Sequence, residues 1–223
     1  MRTVSPANLE SLGRAAENLL GGPVMAEARR LEGPLPPMAP EEAAVVAKAI
    51  DKRRKEMAFG RDTARRLLAK LGHEAPCIPR SASRAPVWPE GTWGSITHTD
   101  EVVLVAVSPV ARPSFGLDLE GAEPLDESLI PYVLRPEERR SGPDRGLHAK
   151  LVFSAKEAFY KAQYVHTDTL LDFLDVRLTM TGAPGSFEVE VVHEASHHLR
   201  GMSLRGKWTR IDPFVLTAAW VGE

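Results

Sequence analysis

Apolar residues recur at helical spacing near the start of the chain, where Leu9, Leu12, Ala16, Leu19 and Leu20 share one side of residues 6–20. That period predicts a short amphipathic helix, and Gly21, Gly22 and Pro23 stop it. Val24–Leu31 reads as a strand, and Gly33–Pro40, with prolines at 34, 36, 37 and 40, as an extended connector. A second helical pattern opens on Glu41 and Glu42, acids suited to the positive end of a helix dipole. It runs to Phe59, where Gly60 is expected to break or bend it. A further helix, Arg61–Leu71, ends at Gly72.

Residues 76–92 are rich in Pro, Ser and Gly and read as a loop. Trp93–His98 and Val102–Ser108 follow as two strands of a hairpin turning at Thr99–Asp100–Glu101. After Pro109–Pro113 comes another strand, Ser114–Glu120, then short helices at Leu125–Val133 and Pro136–Arg140. Asp144–Val165 is a long helix, with Leu147, Leu151, Ala155, Ala158 and Ala162 on one stripe. The tail holds four strands: Leu174–Thr181, Ser186–His193, Gly201–Thr209 and Phe214–Val221. Strands and helices mix without βαβ alternation, which predicts the α+β class. The connector Pro109–Pro113 is the expected boundary between an N-terminal lobe, 1–110, and a C-terminal lobe, 111–223. No repeat of fixed period is visible.

Composition narrows the function only a little. The 223 residues suffice for a sizeable core, and 43% hydrophobic with 26% charged residues is ordinary for a globular protein. The formal net charge of −2 argues against a nucleic-acid-binding chain, so any anion site must be local. One such place exists: Lys52–Lys70 carries eight basic residues against Glu56 and Asp62. The lone Cys77 cannot make an internal disulfide or a cysteine-rich zinc site. The longest apolar runs fall well short of the ~20 residues a membrane span needs. With no basic-then-apolar start, a cytoplasmic setting is expected.

Four segments carry candidate chemistry. In Phe115-Gly116-Leu117-Asp118-Leu119-Glu120, residues two apart on a strand point to the same side, so Asp118 and Glu120 present two carboxylates together while Leu117 and Leu119 face the core. Such a pair suits Mg²⁺, which takes few carboxylates and keeps water or phosphate oxygens. A bare pair of this kind is more often just the polar side of an edge strand. In Phe153-Ser154-Ala155-Lys156-Glu157-Ala158-Phe159-Tyr160-Lys161, Glu157 and Lys161 are i, i+4 neighbours on a helix. Glu157 is a third metal ligand or a general base, and Lys156 and Lys161 are candidates to hold phosphate charge. The flanking aromatics argue against a plain solvated ion pair. Trp88–His98 places His98 at a strand end, and Ser95 lies in no nucleophile elbow. On the basic helix, Arg53 and Arg61 are about two turns apart and could clamp phosphate from one face.

Taken in order, the basic helix, Trp88-Pro89-x-Gly91-x-x-Gly94-Ser95-Ile96-Thr97-His98, Gly116–Glu120 and Phe153–Lys161 resemble the bacterial 4′-phosphopantetheinyl transferases of the surfactin type, nearest the branch of enterobactin synthetase component D. The resemblance spans roughly residues 41–180 and includes Gly60-Arg61, Arg84–Pro89 and Phe173-Leu174-Asp175. It implies two similar α+β lobes related by a pseudo-twofold, with coenzyme A in the cleft between them. It implies a metal, Mg²⁺ or Mn²⁺, on Asp118, Glu120 and Glu157. Arg53, Arg61 and Arg84 would hold the 3′-phosphate and adenosine end of coenzyme A, Thr97 and His98 the nucleotide, and Lys156 and Lys161 the pyrophosphate. Glu157, Asp118 and Lys161 would carry catalysis, and the acceptor would be an apo acyl or peptidyl carrier protein. A monomer is expected, since one chain would supply both lobes. Two other readings stay open at this point: a Mg²⁺-dependent nuclease, although Lys156 precedes its acid rather than following it, and a non-catalytic coenzyme A-binding domain.

Overall fold

The computed structural model describes residues 4–81, 84–110, 114–181, 185–192 and 203–221. The chain divides into two compact units, Met1–Arg112 and Pro113–Glu223. Both mix helices with antiparallel strands, which is the α+β class.

The first unit begins with α1 (Pro6–Leu20), whose Ser5 caps the Asn8 amide, and continues into β1 (Met25–Arg30). After the proline-rich connector come α2 (Pro40–Val45) and α3 (Asp51–Lys70), then β2 (Trp93–His98) and β3 (Val102–Ser108). The strands pair antiparallel in the order β1-β3-β2. Val103, Val105 and Val107 alternate along β3 and pack with Phe59, Ala64, Leu67 and Leu68 of α3.

The helical expectation needs one correction here. The break falls at 46–50, and α3 runs unbroken through Gly60. A Cβ at Gly60 would lie 3.0 Å from Ile96 Cγ2. The glycine is there so that α3 can approach β2 closely, and the packing gained outweighs its weak helix propensity, a penalty of about 1 kcal/mol.

The second unit runs β4 (Phe115–Gly121), a single turn α4 (Ile130–Val133), a 3₁₀ turn (Pro136–Glu138), the long α5 (Arg145–Thr167), a 3₁₀ turn (Phe173–Asp175), then β5 (Val176–Met180), β6 (Ser186–Val191), β7 (Ser203–Ile211) and β8 (Phe214–Val221). The sheet order is β4-β8-β7-β6-β5, all antiparallel. Ala149, Val152, Ala155, Phe159 and Ala162 of α5 pack on Val176, Leu178, Phe187, Val189 and Val191. The short helices are briefer than the pattern predicts, and in the second Glu138 turns its carboxylate back to the Arg135 amide and inward to the Leu178 amide. Of the expected elements, His193, Gly201, Met202 and connector residues 111–113 lie outside the described residues.

α5 crosses β4 at Gly116. A Cβ there would sit 2.0 Å from the Ala158 carbonyl oxygen and 2.8 Å from the Ala162 amide nitrogen. Only glycine admits that backbone approach. Since Asp118 and Glu120 share the Gly116 side of β4, this crossing brings Glu157 and Lys161 toward them. The acids therefore face the helix, not an open sheet edge as a bare pair would, and Leu117 and Leu119 are wholly buried on the opposite side.

Candidate active site

In the second unit one stripe of α5 meets the acids of β4. Positions 150, 154, 157 and 161 lie one turn apart along it. Lys161 Nζ donates to Asp118 Oδ1 at 2.7 Å and to the Leu117 carbonyl at 2.9 Å. Lys150 Nζ is shared by Glu120 Oε2 at 3.2 Å and Glu123 Oε1 at 3.5 Å. Ser154 and Thr217 bond each other at 2.9 Å, and Thr217 stands opposite Asp118 on β8. The sequence reading missed Lys150. The signal was its place on the helical stripe of Glu157 and Lys161.

The electrostatics show acid in excess. Burial, then the negative charge of Asp118, push Glu120 up to about 6, with Lys150 pulling the other way. Burial raises Glu157 as well; Lys161 opposes the shift and Asp118 adds to it. Carboxylates that are desolvated and repel each other are short of positive charge. That donor set, all oxygen, fits a hard divalent cation. Among the described residues no three His, Cys, Asp or Glu side chains form a ready-made cage. Mg²⁺ does not require one, because it commonly keeps waters and substrate phosphate oxygens beside one or two carboxylates.

Lys156 corrects an expectation. It is wholly buried, and its ammonium donates to Glu138 Oε2 at 2.7 Å, the Val133 carbonyl at 2.9 Å and the Phe173 carbonyl at 2.8 Å. All three donors are used, so none is left for a phosphate. The cause is helical geometry: Lys156 is about 100° round the helix from Glu157 and faces the core instead. Phe153, Phe173 and Tyr160 stack on that side. Burial lowers the Lys156 pKa while Glu138 opposes the change.

In the first unit, Arg53 Nη1 lies 2.9 Å from Glu56 Oε2 and 3.1 Å from His98 Nε2. Glu56, also missed in the sequence, thus ties the base of α3 to the end of β2. Thr97 is buried beside His98 on the same strand. Arg61 does not share the exposed face of Arg53. It is 5% exposed, and its Nε has no hydrogen-bond partner. Burial lowers its pKa to about 10 despite Glu42 nearby, and Arg80 and Arg65 lower it further. Arg84 stands on the adjoining loop at φ 74°, a backbone region that non-glycine residues seldom adopt. Arg80, a fourth base the sequence reading passed over, links the group. Burial lowers its pKa first, then Arg84 and Arg53. Arg61 and Arg80, held down by burial and by the bases around them, stand with Arg53 and Arg84 as a local concentration of positive charge suited to a phosphate.

No helix among the described residues is long and apolar enough to cross a membrane. A family model described as the 4′-phosphopantetheinyl transferase N-terminal domain matches residues 41–108, and one for the 4′-phosphopantetheinyl transferase superfamily matches residues 114–212. The 4′-phosphopantetheinyl transferase Npt of Nocardia iowensis is 34% identical over 80% of this chain and 87% of its own length. The 4′-phosphopantetheinyl transferase PptT of Mycobacterium tuberculosis is 34% identical over 80% of this chain and 84% of its own length. Enterobactin synthase component D of Escherichia coli O157:H7 is 35% identical over a shorter stretch, 57% of this chain and 62% of its own length. None of these matches favours the nuclease or the non-catalytic reading. The chain belongs to the 4′-phosphopantetheinyl transferase family.

Proposed function

We propose that this chain transfers the 4′-phosphopantetheine arm of coenzyme A to a serine of an apo carrier protein, acyl, peptidyl or aryl, and releases 3′,5′-ADP. The observation that carries the reading is the acid-rich stripe of Asp118, Glu120 and Glu157 with its lysines, Lys161 and Lys150. Asp118, Glu120 and Glu157 would hold Mg²⁺ or Mn²⁺. That ion, when bound, supplies positive charge to the pyrophosphate and lowers the cost of the leaving ADP.

The chain's own residues account for the rest. In transfer, the serine oxygen forms a bond to the pantetheine-side phosphorus, and the bond from that phosphorus to the bridging oxygen of 3′,5′-ADP breaks. Glu157 takes the serine proton, and its raised pKa suits it to the task. Lys161 holds one Asp118 oxygen and adds charge that favours a phosphate-rich ligand. Arg53, Arg61, Arg80 and Arg84 serve the 3′-phosphate and adenosine end, where the buried Nε of Arg61 offers a donor with no competing partner. His98 and Thr97 contact the nucleotide.

Intact-mass spectrometry tests this. The protein is mixed with coenzyme A, Mg²⁺ and an apo carrier. The carrier should gain the mass of one phosphopantetheine arm, and Asp118→Ala should abolish the gain. No mass gain across acyl, peptidyl and aryl carriers, with coenzyme A bound, would overturn the assignment.

A further inference from the structure

The strand–helix contacts of the second unit recur in the first, at a constant spacing along the chain. Asp118 follows Glu27 by 91 residues, and Lys161 follows Lys70 by 91. Lys161 bonds Asp118, and Lys70 Nζ lies 3.3 Å from Glu27 Oε2. The same 91-residue step relates Glu120 to Arg29 and Lys150 to Phe59. Lys150 pairs with Glu120, and the Arg29 guanidinium lies 5.2 Å over the Phe59 ring. The step also relates Glu157 to Arg66, and Arg66 Nη2 is 3.3 Å from Glu27 Oε1.

The buried ends of the two helices agree as well. Lys156, 91 residues after Arg65, bonds Glu138, which accepts from the Arg135 and Leu178 amides. Arg65 bonds Glu42, which accepts from the Ala39 and Ile78 amides. Each of these glutamates closes a Pro-Glu-Glu turn and lies three residues after the amide it caps. Agreement on two elements and on both sides of the helix is not what two unrelated lobes would give.

One class of position differs. Where the second unit has Glu120 and Glu157, the first has Arg29 and Arg66. Glu27 is thereby enclosed by Arg66 and Lys70, while Arg29 pairs with Asp62 at 2.5 Å. We infer that the first unit holds a charge-swapped counterpart of the catalytic site, in which the guanidiniums of Arg29 and Arg66 stand in for the divalent cation. This rests on the metal reading proposed above. The first unit needs no metal, because its strand acid already has its counter-charge, and one chain binds one catalytic ion.

The experiment counts bound Mn²⁺ by electron paramagnetic resonance on the full chain. Wild type should bind one ion, and Asp118→Asn with Glu120→Gln none. Arg29→Glu with Arg66→Glu should raise the count to two, or to one when combined with the Asn/Gln pair. A reverse swap, Glu120→Arg with Glu157→Arg, covers the case in which the first double variant fails to fold. Its melting temperature in EDTA should equal or exceed that of Glu120→Gln with Glu157→Gln, and Mn²⁺ should no longer raise it. No binding to wild type would overturn the metal reading itself. One ion on wild type with no gain in the Arg29/Arg66 variant, or a reverse swap that melts below the Gln pair, would overturn the charge-swapped counterpart alone.

Discussion

Lys156 and Glu157 are neighbours in the chain and opposites in the fold. On the Lys156 side of α5 the buried charges are answered, though the Tyr160 hydroxyl is not: the ammonium has Glu138 and two carbonyls, and Glu138 has the amides of Arg135 and Leu178 besides. His148, a helix turn or two back on that side, lies 2.8 Å from the Glu138 carbonyl. On the Glu157 side, three carboxylates meet two lysines, and two of the acids are pushed above their ordinary range. A satisfied buried pair holds a fold in register, whereas a cluster left short of positive charge has capacity to bind. One helix thus separates structure from chemistry by about 100° of rotation.

Four measurements would break or sharpen that contrast. The largest effect is expected from Glu138→Ala, which leaves the Lys156 charge buried and unpaired. Urea unfolding should show a loss of about 3–5 kcal/mol, while turnover per folded molecule stays near wild type. A large fall in turnover of the folded fraction would mean that Lys156 serves the substrate after all. Next, Glu157→Gln should slow transfer by about 10²-fold or more, or roughly 2.7 kcal/mol, as the loss of a general base does. Its urea midpoint without metal should not fall, because one repelling charge has gone. Near-normal turnover would remove Glu157 from the base role.

Gly116→Ala comes third. The new Cβ collides with the α5 backbone, and overpacking of this kind costs about 1–3 kcal/mol. Transfer should suffer as well, because the helix must shift away from Asp118. An unchanged urea midpoint would refute the close crossing.

The smallest effect is a pair of opposite pH dependences in the metal-free protein. Burial lowers the His148 pKa below 6.5, so the folded state prefers the neutral ring. Its contribution is full above pH 6.5 and is lost as pH falls through the lower folded value. Glu120 runs the other way. Its folded pKa of about 6 exceeds the ordinary 4.5 of a free glutamate, so its contribution is full below pH 4.5 and is lost as pH rises to about 6. In urea midpoints from pH 4 to 8, Glu120→Gln should remove a fall in stability between pH 4.5 and about 6, and His148→Gln should remove a rise that is complete by pH 6.5.

Most of the fold was legible in the chain. The α1 stripe, the 93–108 hairpin, the long α5 and the last strands follow from period, turn residues and β-branched runs, which are local. Gly60 misled, because the same residue type breaks a helix or permits a close contact, and only Ile96 across the gap decides which. In the candidate site, spacing showed Asp118 with Glu120 and Glu157 with Lys161 as two separate pairs, and only the family resemblance put them together. Lys150 was signalled only by its place on the helical stripe, and what fixes its role, Glu120, lies far along the chain, as do His98 for Glu56 and Arg53 for Arg80.

The sequence alone determined the α+β class, the family resemblance and which acids and bases could act, since each rests on residue type and short-range spacing. Tertiary structure alone decided that Lys156 is spent on Glu138, and that Arg61 is buried while Arg53 is not. It also decided that Arg66 and Lys70 enclose Glu27. A side chain's partner depends on which element packs on which face, and that choice is made by the burial of the whole core, not by the residues beside it.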